Sequence, residues 1–278
     1  MDKNTLRKIL GRFLAEDIGL GDVTSESIFS SQEEGAARLI ARESFVLAGG
    51  DVAAQVFGVQ NPKICVEQLV EDGKRVQPGD QLLLVRGPVV DLLKAERVAL
   101  NLLQRMSGVA TITAQYVEAV RGYPVRITDT RKTTPGLRML EKQAVQVGGG
   151  NNHRFNLADG VMIKDNHIAA CGSIAAAVTR VREKVPHTLR IEVETDTLEQ
   201  VCDCLDCGVD IIMLDNMTYE KMREAVDIID GRAIVEASGG ITLENVRDVA
   251  ATGVDIISSG ALTHSAPFCD IGMDWLET

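Results

Sequence analysis

The chain has 278 residues, 45% of them hydrophobic and 25% charged, enough for a sizeable core in one large domain or two modest ones. Its 29 basic residues against 40 acidic ones leave a net charge of −11, which argues against a general surface for nucleic acid or an anionic membrane and requires any polyanion to be met locally. No apolar run approaches the ~20 residues that span a bilayer, and MDKNTLRKIL lacks a basic-then-apolar signal layout, so the expectation is a cytoplasmic protein that binds neither membrane nor nucleic acid.

The first hundred or so residues carry short apolar strands broken by turns. In LVEDGKRVQPGDQLLLVRG the turns fall at Gly73 and at Pro78-Gly79-Asp80, a hairpin-rich pattern. The hairpin resembles that of biotinyl and lipoyl carrier domains, but no lysine occupies a carrier-like turn, which argues against a carrier function. From Asp91 the pattern becomes helical: DLLKAERVALNLLQRMSGVATITAQYVEAV has Leu93, Val98, Leu102 and Leu103 among its apolar positions, with Gly108 as a break. This segment reads as the bridge between two domains.

Beyond it, strand-like and helix-like segments alternate. Apolar runs at Val125–Ile127, Val161–Ile163, Arg190–Val193, Ile211–Leu214, Ala233–Val235 and Asp255–Ile257 are separated by helix-length stretches such as SIAAAVTRVREKV and TYEKMREAVDII. Such alternation predicts a parallel sheet with helices outside, repeated into a barrel. About six strands are visible where the usual α/β barrel has eight, so an incomplete or variant barrel is expected. In TLEQVCDCLDCGVD, Leu198, Val201, Cys202 and Leu205 recur at helical intervals and should face a core. Three thiols on one short helix point in different directions and no His pair completes a tetrahedral set, so Cys202, Cys204 and Cys207 read as ordinary small buried residues rather than a metal site.

The first barrel strand runs into ITDTRKTTPGLR, where seven polar side chains from Thr128 to Thr134 precede the turn at Pro135 and Gly136. In a barrel the active site lies where the strands end. Reading those ends in order gives Arg131 and Lys132, Lys164 and Asp165, Glu194, Asp215 and Asn216, Ser238-Gly239-Gly240, and Ser258-Ser259-Gly260. Any one of these alone reads as a loop residue or a helix cap; the whole set in register points to a site. Arg131, Lys132, Arg154 and Lys164, with His153 between them, supply cationic donors suited to carboxylates and phosphates. Glu194 and Asp215 offer hard oxygen ligands of the kind that hold Mg²⁺. Glycines at 148–150, 239–240 and 260 allow close backbone approach to a phosphate, especially where SGGIT opens a helix. No Walker-type lysine loop is present, which disfavours nucleoside triphosphate hydrolysis. A lysine ending a barrel strand can also form a Schiff base, but a ring of cations around Lys164 more naturally encloses a multiply charged substrate.

Taken together, EDIGLGDVTSE, DTRKTTPGLR, VGGGNNHR, IKDNH, the Glu194 of IEVET, MLDN and EASGGI resemble the quinolinate phosphoribosyltransferase family over nearly the whole chain. The resemblance implies an N-terminal α/β sandwich over residues 1–107 and an open, six-stranded α/β barrel over 108–265, with the tail 266–278 returning to the first domain. It implies transfer of phosphoribose from phosphoribosyl pyrophosphate to quinolinate with decarboxylation, giving nicotinate mononucleotide, pyrophosphate and CO₂ in de novo NAD synthesis. By resemblance Arg131, His153, Arg154 and Lys164 hold the quinolinate carboxylates, joined by Arg97 from a neighbouring subunit of a homodimer with composite sites. Lys132 faces phosphate, Glu194 and Asp215 hold ribose hydroxyls and Mg²⁺, and Ser238, Gly239 and Gly260 cradle the 5′-phosphate. Assembly of dimers into hexamers stays open, as does any side chain assisting decarboxylation.

Overall fold

The computed structural model describes residues 2–276. The chain begins with α1 (Lys3–Ile18), α2 (Val23–Ile28), β1 (Glu34–Ala41), β2 (Phe45–Val46), α3 (Gly50–Gln60), β3 (Cys65–Gln68), β4 (Arg75–Val76), β5 (Gln81–Pro88) and α4 (Val89–Ala119). It continues with β6 (Arg126–Thr128), α5 (Arg138–Val147), β7 (Val161–Ile163), α6 (Asp165–Cys171), α7 (Ile174–Arg182), β8 (Ile191–Thr195) and α8 (Leu198–Asp206). The last elements are β9 (Ile211–Asp215), α9 (Tyr219–Ile229), β10 (Ile234–Ser238), α10 (Val246–Ala250), β11 (Ile256–Ser258), α11 (Ala261–His264) and β12 (Ile271–Trp275). They fall into two compact units. One contains the residues up to Ile112, Met139–Gly148 and those from Ala266 onward; the other contains Thr113–Arg138 and Gly149–Ser265.

The first unit is built on a four-stranded antiparallel sheet in the order β12-β1-β5-β3, with α3 packed against β3 and β5 and α1 packed on α3. Helix α1 is started by Asp2, whose carboxylate accepts from the amides of Asn4 and Thr5 and so satisfies two orphan donors of the first turn. Strand β12 pairs with β1 from Ala37 opposite Trp275 to Ala41 opposite Ile271. Glu277 and Thr278, at the end of the tail expected to return, lie outside the described residues. A buried ion pair also ties the three chain segments of this unit together. Arg105 Nε and Nη2 donate to Glu141 Oε1 at 3.0 and 2.8 Å, and its Nη1 donates to the Ala266 carbonyl at 2.8 Å.

Helix α4 runs for 31 residues without the break expected at Gly108. The glycine is there for space: a β-carbon at this position would overlap the Pro267 carbonyl oxygen, so the residue marks a close approach and not a helix end. Leu102 and Leu103 are buried along the same helix, as their spacing suggested, whereas Arg97 is exposed.

The second unit is an open α/β barrel whose parallel sheet has the order β6-β11-β10-β9-β8-β7. Its strands coincide with the six apolar runs to within one residue at the start and extend up to three residues further at the end. Strands β6 and β7 are its edges, and the edge of β6 is partly covered by a bridge from Thr128 to Asn151. Helix α8 follows a capping box in which Thr197 and Gln200 exchange bonds, and it buries Val201 and Cys204. Cys202 is exposed, against the expectation that it faces the core. The inward stripe runs through 201 and 204, one position further round the helix than the 198–201–202–205 pattern suggested. Among the described residues, no helix is long and apolar enough to cross a membrane.

Candidate active site

All six barrel strands end at a cavity of about 770 Å³, and the strand-end residues singled out by the sequence meet there. Arg131, Lys132, His153, Arg154, Lys164, Glu194, Asp215, Ser238, Gly239 and Gly260 all line it. Asp165 is not among the lining residues, because α6 begins with it and turns it outward, exposed. Arg97 lies in the other unit, exposed on α4. A second cavity of about 630 Å³ lies at the strand starts, with Arg126, Arg190 and Arg232 beside Asp210 and Asp255. Those two aspartates accept from the amides of Ile191 and Val235, both at 2.8 Å, so they secure neighbouring strands rather than mark a reaction centre.

Side-chain bonds to the backbone hold the cationic loops in place. Asp129, fully buried just after β6, accepts from Asn152 Nδ2 at 2.6 Å and from the His153 amide at 2.9 Å, which fixes the NNHR loop beside the DTRK loop. The Lys132 amide donates to Thr130 Oγ1 at 3.0 Å, and Thr263 Oγ1 donates to the Lys132 carbonyl at 2.8 Å. Arg138 pins the same loop from the far side, donating through Nε to Thr133 Oγ1 and through Nη2 to the Arg131 carbonyl. Arg154 donates to the Gly160 carbonyl at 3.0 Å. These bonds fix the loops that carry the cations before any ligand arrives, so less ordering is needed on binding.

The charges are grouped. Lys164 Nζ is ion-paired with Glu194 Oε1 across the ends of β7 and β8. Burial, followed by the nearby Arg131 charge, lowers the pKa of the Arg154 guanidinium, as for a cation crowded by another in a partly dry site. His153 Nε2 lies 3.3 Å from Glu192 Oε2 and 3.5 Å from Glu236 Oε1. Burial acts to lower the imidazole pKa, but hydrogen bonds to the two carboxylates and their charge outweigh it and push the value up to about 10. The Arg154 amide donates to Nδ1 at 2.8 Å and so acts against a second proton there; in the neutral ring the proton sits on Nε2, facing the carboxylates. Burial, and then Glu236 by its like charge, raise the pKa of Glu192.

The opposite side of the cavity is small and uncharged. Gly239 and Gly240 have φ of 88° and 61°, and Asn216 has φ of 54°, so two adjoining loops adopt left-handed backbone. A side chain at Gly239 would run into Asn216, and one at Gly260 would press on Lys132 and His264. The expectation that SGGIT opens a helix needs correction. After Ser238 the chain turns, Asn245 Nδ2 donates to the Gly240 carbonyl at 2.9 Å, and α10 starts only at Val246. Loop backbone, not a helix terminus, therefore lines the cavity here. Glycines 148–150 are not among the lining residues; Gly149, with φ of 89°, turns the chain after α5.

Sequence reading missed Asp129, Glu192, Glu236 and His264. The two glutamates had a usable signal: stepping back two residues from Glu194 and from Ser238 stays on the inward face of a strand. For cations, Glu194 and Asp215 offer hard carboxylate oxygens at adjacent strand ends, which suits Mg²⁺; Asp215 Oδ2 accepts from Asn216 Nδ2 at 3.0 Å. His153, Glu192 and Glu236 form a second donor set with ligand atoms within 4.8 Å of one another.

Comparison with known proteins covers the whole chain. Residues 22–107 match the family model for the quinolinate phosphoribosyl transferase N-terminal domain, and residues 109–274 match the model for its C-terminal domain. A probable nicotinate-nucleotide pyrophosphorylase (carboxylating) of Bacillus subtilis is 45% identical over 99% of this chain and 94% of its own length. A mitochondrial quinolinate phosphoribosyltransferase (decarboxylating) of Nicotiana tabacum is 42% identical over 96% of this chain and 81% of its own. The crystal structure of NadC from Streptococcus pyogenes superposes with a TM-score of 0.95 at 41% identity, covering 100% of this chain and 99% of that one.

Proposed function

The chain belongs to the quinolinate phosphoribosyltransferase family and is a decarboxylating pentosyltransferase, and from that premise we propose how its cavity residues divide the reaction. Quinolinate takes up phosphoribose from phosphoribosyl pyrophosphate and loses its 2-carboxylate, giving nicotinate mononucleotide, pyrophosphate and CO₂. Arg131, His153, Arg154 and Lys164 hold the two carboxylates. Lys132 meets the pyrophosphate of the donor, Glu194 and Asp215 hold ribose hydroxyls and Mg²⁺, and Ser238, Gly239 and Gly260 receive the 5′-phosphate. The observation that supports this reading is the segregation of charge in one cavity: cations gather on the ends of β6 and β7 and their loops, carboxylates on β8 and β9, and small uncharged residues on β10 and β11.

The chain contributes mainly position and charge. As pyrophosphate leaves ribose C1, positive charge grows on the sugar, where Glu194 and Asp215 favour it, while Lys132 stabilises the departing anion. Glu194 and Asp215 would hold Mg²⁺, which would supply further positive charge to offset the negative charge of the leaving group. Bond formation at the ring nitrogen makes the pyridinium an electron sink, and the 2-carboxylate then departs. The Lys164–Glu194 pair links the two substrate halves, since each partner is assigned to a different ligand. It also weighs against a Schiff-base reaction, which needs a free neutral amine.

Arg97 of the partner subunit completes the carboxylate site in a homodimer under this proposal, an assignment supported by its exposed position on α4. The test is a pair of separate equilibrium titrations. Arg154→Ala should lose quinolinate and keep the phosphoribosyl donor, Lys132→Ala should do the reverse, and parallel losses in both variants would refute the division.

A further inference from the structure

Two buried carboxylates have no task in the division of labour above. Glu192 and Glu236 lie two residues before Glu194 on β8 and before Ser238 on β10, so they point into the barrel one layer beneath the cavity. They are 4% and 1% exposed. Branched apolar side chains ordinarily fill such a layer. Thr128 and Ser258, register partners at the ends of β6 and β11, carry hydroxyls with no hydrogen-bond partner among the described residues, and neither Glu192 Oε1 nor Glu236 Oε1 has one. Carboxylates are costly to bury without a partner. The structure supplies a cationic neighbour at the cavity side, since His153 Nε2 lies 3.3 Å from Glu192 Oε2 and 3.5 Å from Glu236 Oε1 while the residue lines the cavity.

We infer that Glu192 and Glu236 are positioning residues for quinolinate: they clamp the His153 ring by its Nε2 edge from beneath and so set the angle at which it meets a substrate carboxylate. The inference rests on the placing of His153 at quinolinate proposed above. Two opposed effects make it decidable by sign. Two negative charges beneath a dianion repel it, so on Coulombic grounds alone replacing either glutamate by glutamine should tighten quinolinate binding. If the clamp matters more, the same replacement weakens it, because a carboxamide offers a neutral and weaker acceptor to Nε2–H.

The experiment measures binding of quinolinate and of phosphoribosyl pyrophosphate to Glu192→Gln and Glu236→Gln, each made in the wild-type chain and in His153→Ala. The expected result is a loss of about 10- to 100-fold in quinolinate affinity for each single variant. Donor affinity in the same preparations should stay within about twofold, which also reports a correctly folded cavity. In the His153→Ala background the glutamine substitutions should have no further effect, since coupled residues are not additive. Unchanged or tighter quinolinate binding in both single variants, while His153→Ala weakens it, overturns the clamp alone. Full additivity with His153→Ala overturns it too, as the glutamates would then act independently of the ring. If His153→Ala leaves quinolinate affinity intact, the placing of His153 and the clamp fall together. Imidazole ¹⁵N NMR of the wild-type chain gives a check that needs no variant. A proton on Nε2 supports the clamp, and an Nε2 without one, as when a divalent cation occupies the trio, overturns it.

Discussion

Replacing Lys164 by alanine separates the two substrates most sharply. The side chain ends β7, lines the cavity and is ion-paired with Glu194, with relative exposures of 40% and 17% for the two side chains. The loss of a charged partner at a binding site costs roughly 2–4 kcal/mol. Because water reaches Lys164, the lower half of that range applies, about 2–3 kcal/mol, or a roughly 30- to 150-fold rise in the quinolinate dissociation constant. A second effect runs the other way. Without Lys164 the Glu194 carboxylate loses its neutralising cation, so a divalent ion should bind it more readily and half-saturation with Mg²⁺ should shift to lower concentration. Calorimetric titration of quinolinate, of the phosphoribosyl donor and of Mg²⁺ with the donor would measure all three. Equal losses for both substrates, or a rise in the Mg²⁺ requirement, would refute the placing of Lys164 between the two halves of the site.

Asp215→Asn should keep quinolinate affinity and lose Mg²⁺-dependent turnover, because the amide keeps the shape but not the charge a hard cation needs; turnover with an unchanged Mg²⁺ profile would remove Asp215 from that role. Gly239→Ala places a methyl against Asn216 at a backbone φ of 88°, so the KM for the phosphoribosyl donor should rise while quinolinate affinity holds, and a KM unaltered in steady-state assays would contradict its phosphate role. Arg97→Ala and Lys132→Ala should each be nearly inactive, yet subunits refolded together should recover roughly a quarter of wild-type activity through hybrid dimers with one intact site. Recovery of nothing, despite subunit exchange shown by mass, would exclude a composite site. His153, raised from 6.5 to about 10, contributes stability that is fully present below about pH 6.5 and lost as the pH climbs through 10. Denaturant midpoints of wild type minus His153→Gln should therefore fall across pH 7–10; a flat difference would show that the Arg154 amide keeps the ring neutral.

The six barrel strands and the strand-end residues were legible because a parallel strand buried on both faces reads as a short apolar run, and its end is the first polar residue after it. Gly108 misled because a glycine inside a helical pattern signals either a break or a close contact, and the Pro267 carbonyl that explains it lies far along the chain. Cys202 was misplaced by a single step around α8, within the tolerance of any short apolar stripe. SGGIT reads as a helix start that brings backbone close to a phosphate; its glycines instead take left-handed backbone and turn the chain, and the helix waits for Val246. Glu192 and Glu236 were invisible for a different reason. Burial of a carboxylate contradicts its ordinary preference, and only the pairing of both with His153 across three separate segments makes it intelligible.

The most direct measurement uses quinolinate labelled in its 2-carboxylate, incubated with the protein, Mg²⁺ and phosphoribosyl pyrophosphate, with nicotinic acid as the control base. Labelled CO₂ and nicotinate mononucleotide should appear in equal amounts, only when the donor is present. Nicotinic acid, which offers one carboxylate where the proposed site holds two, should give little product. Donor binding without CO₂ release, or faster product formation from nicotinic acid than from quinolinate, would contradict the account.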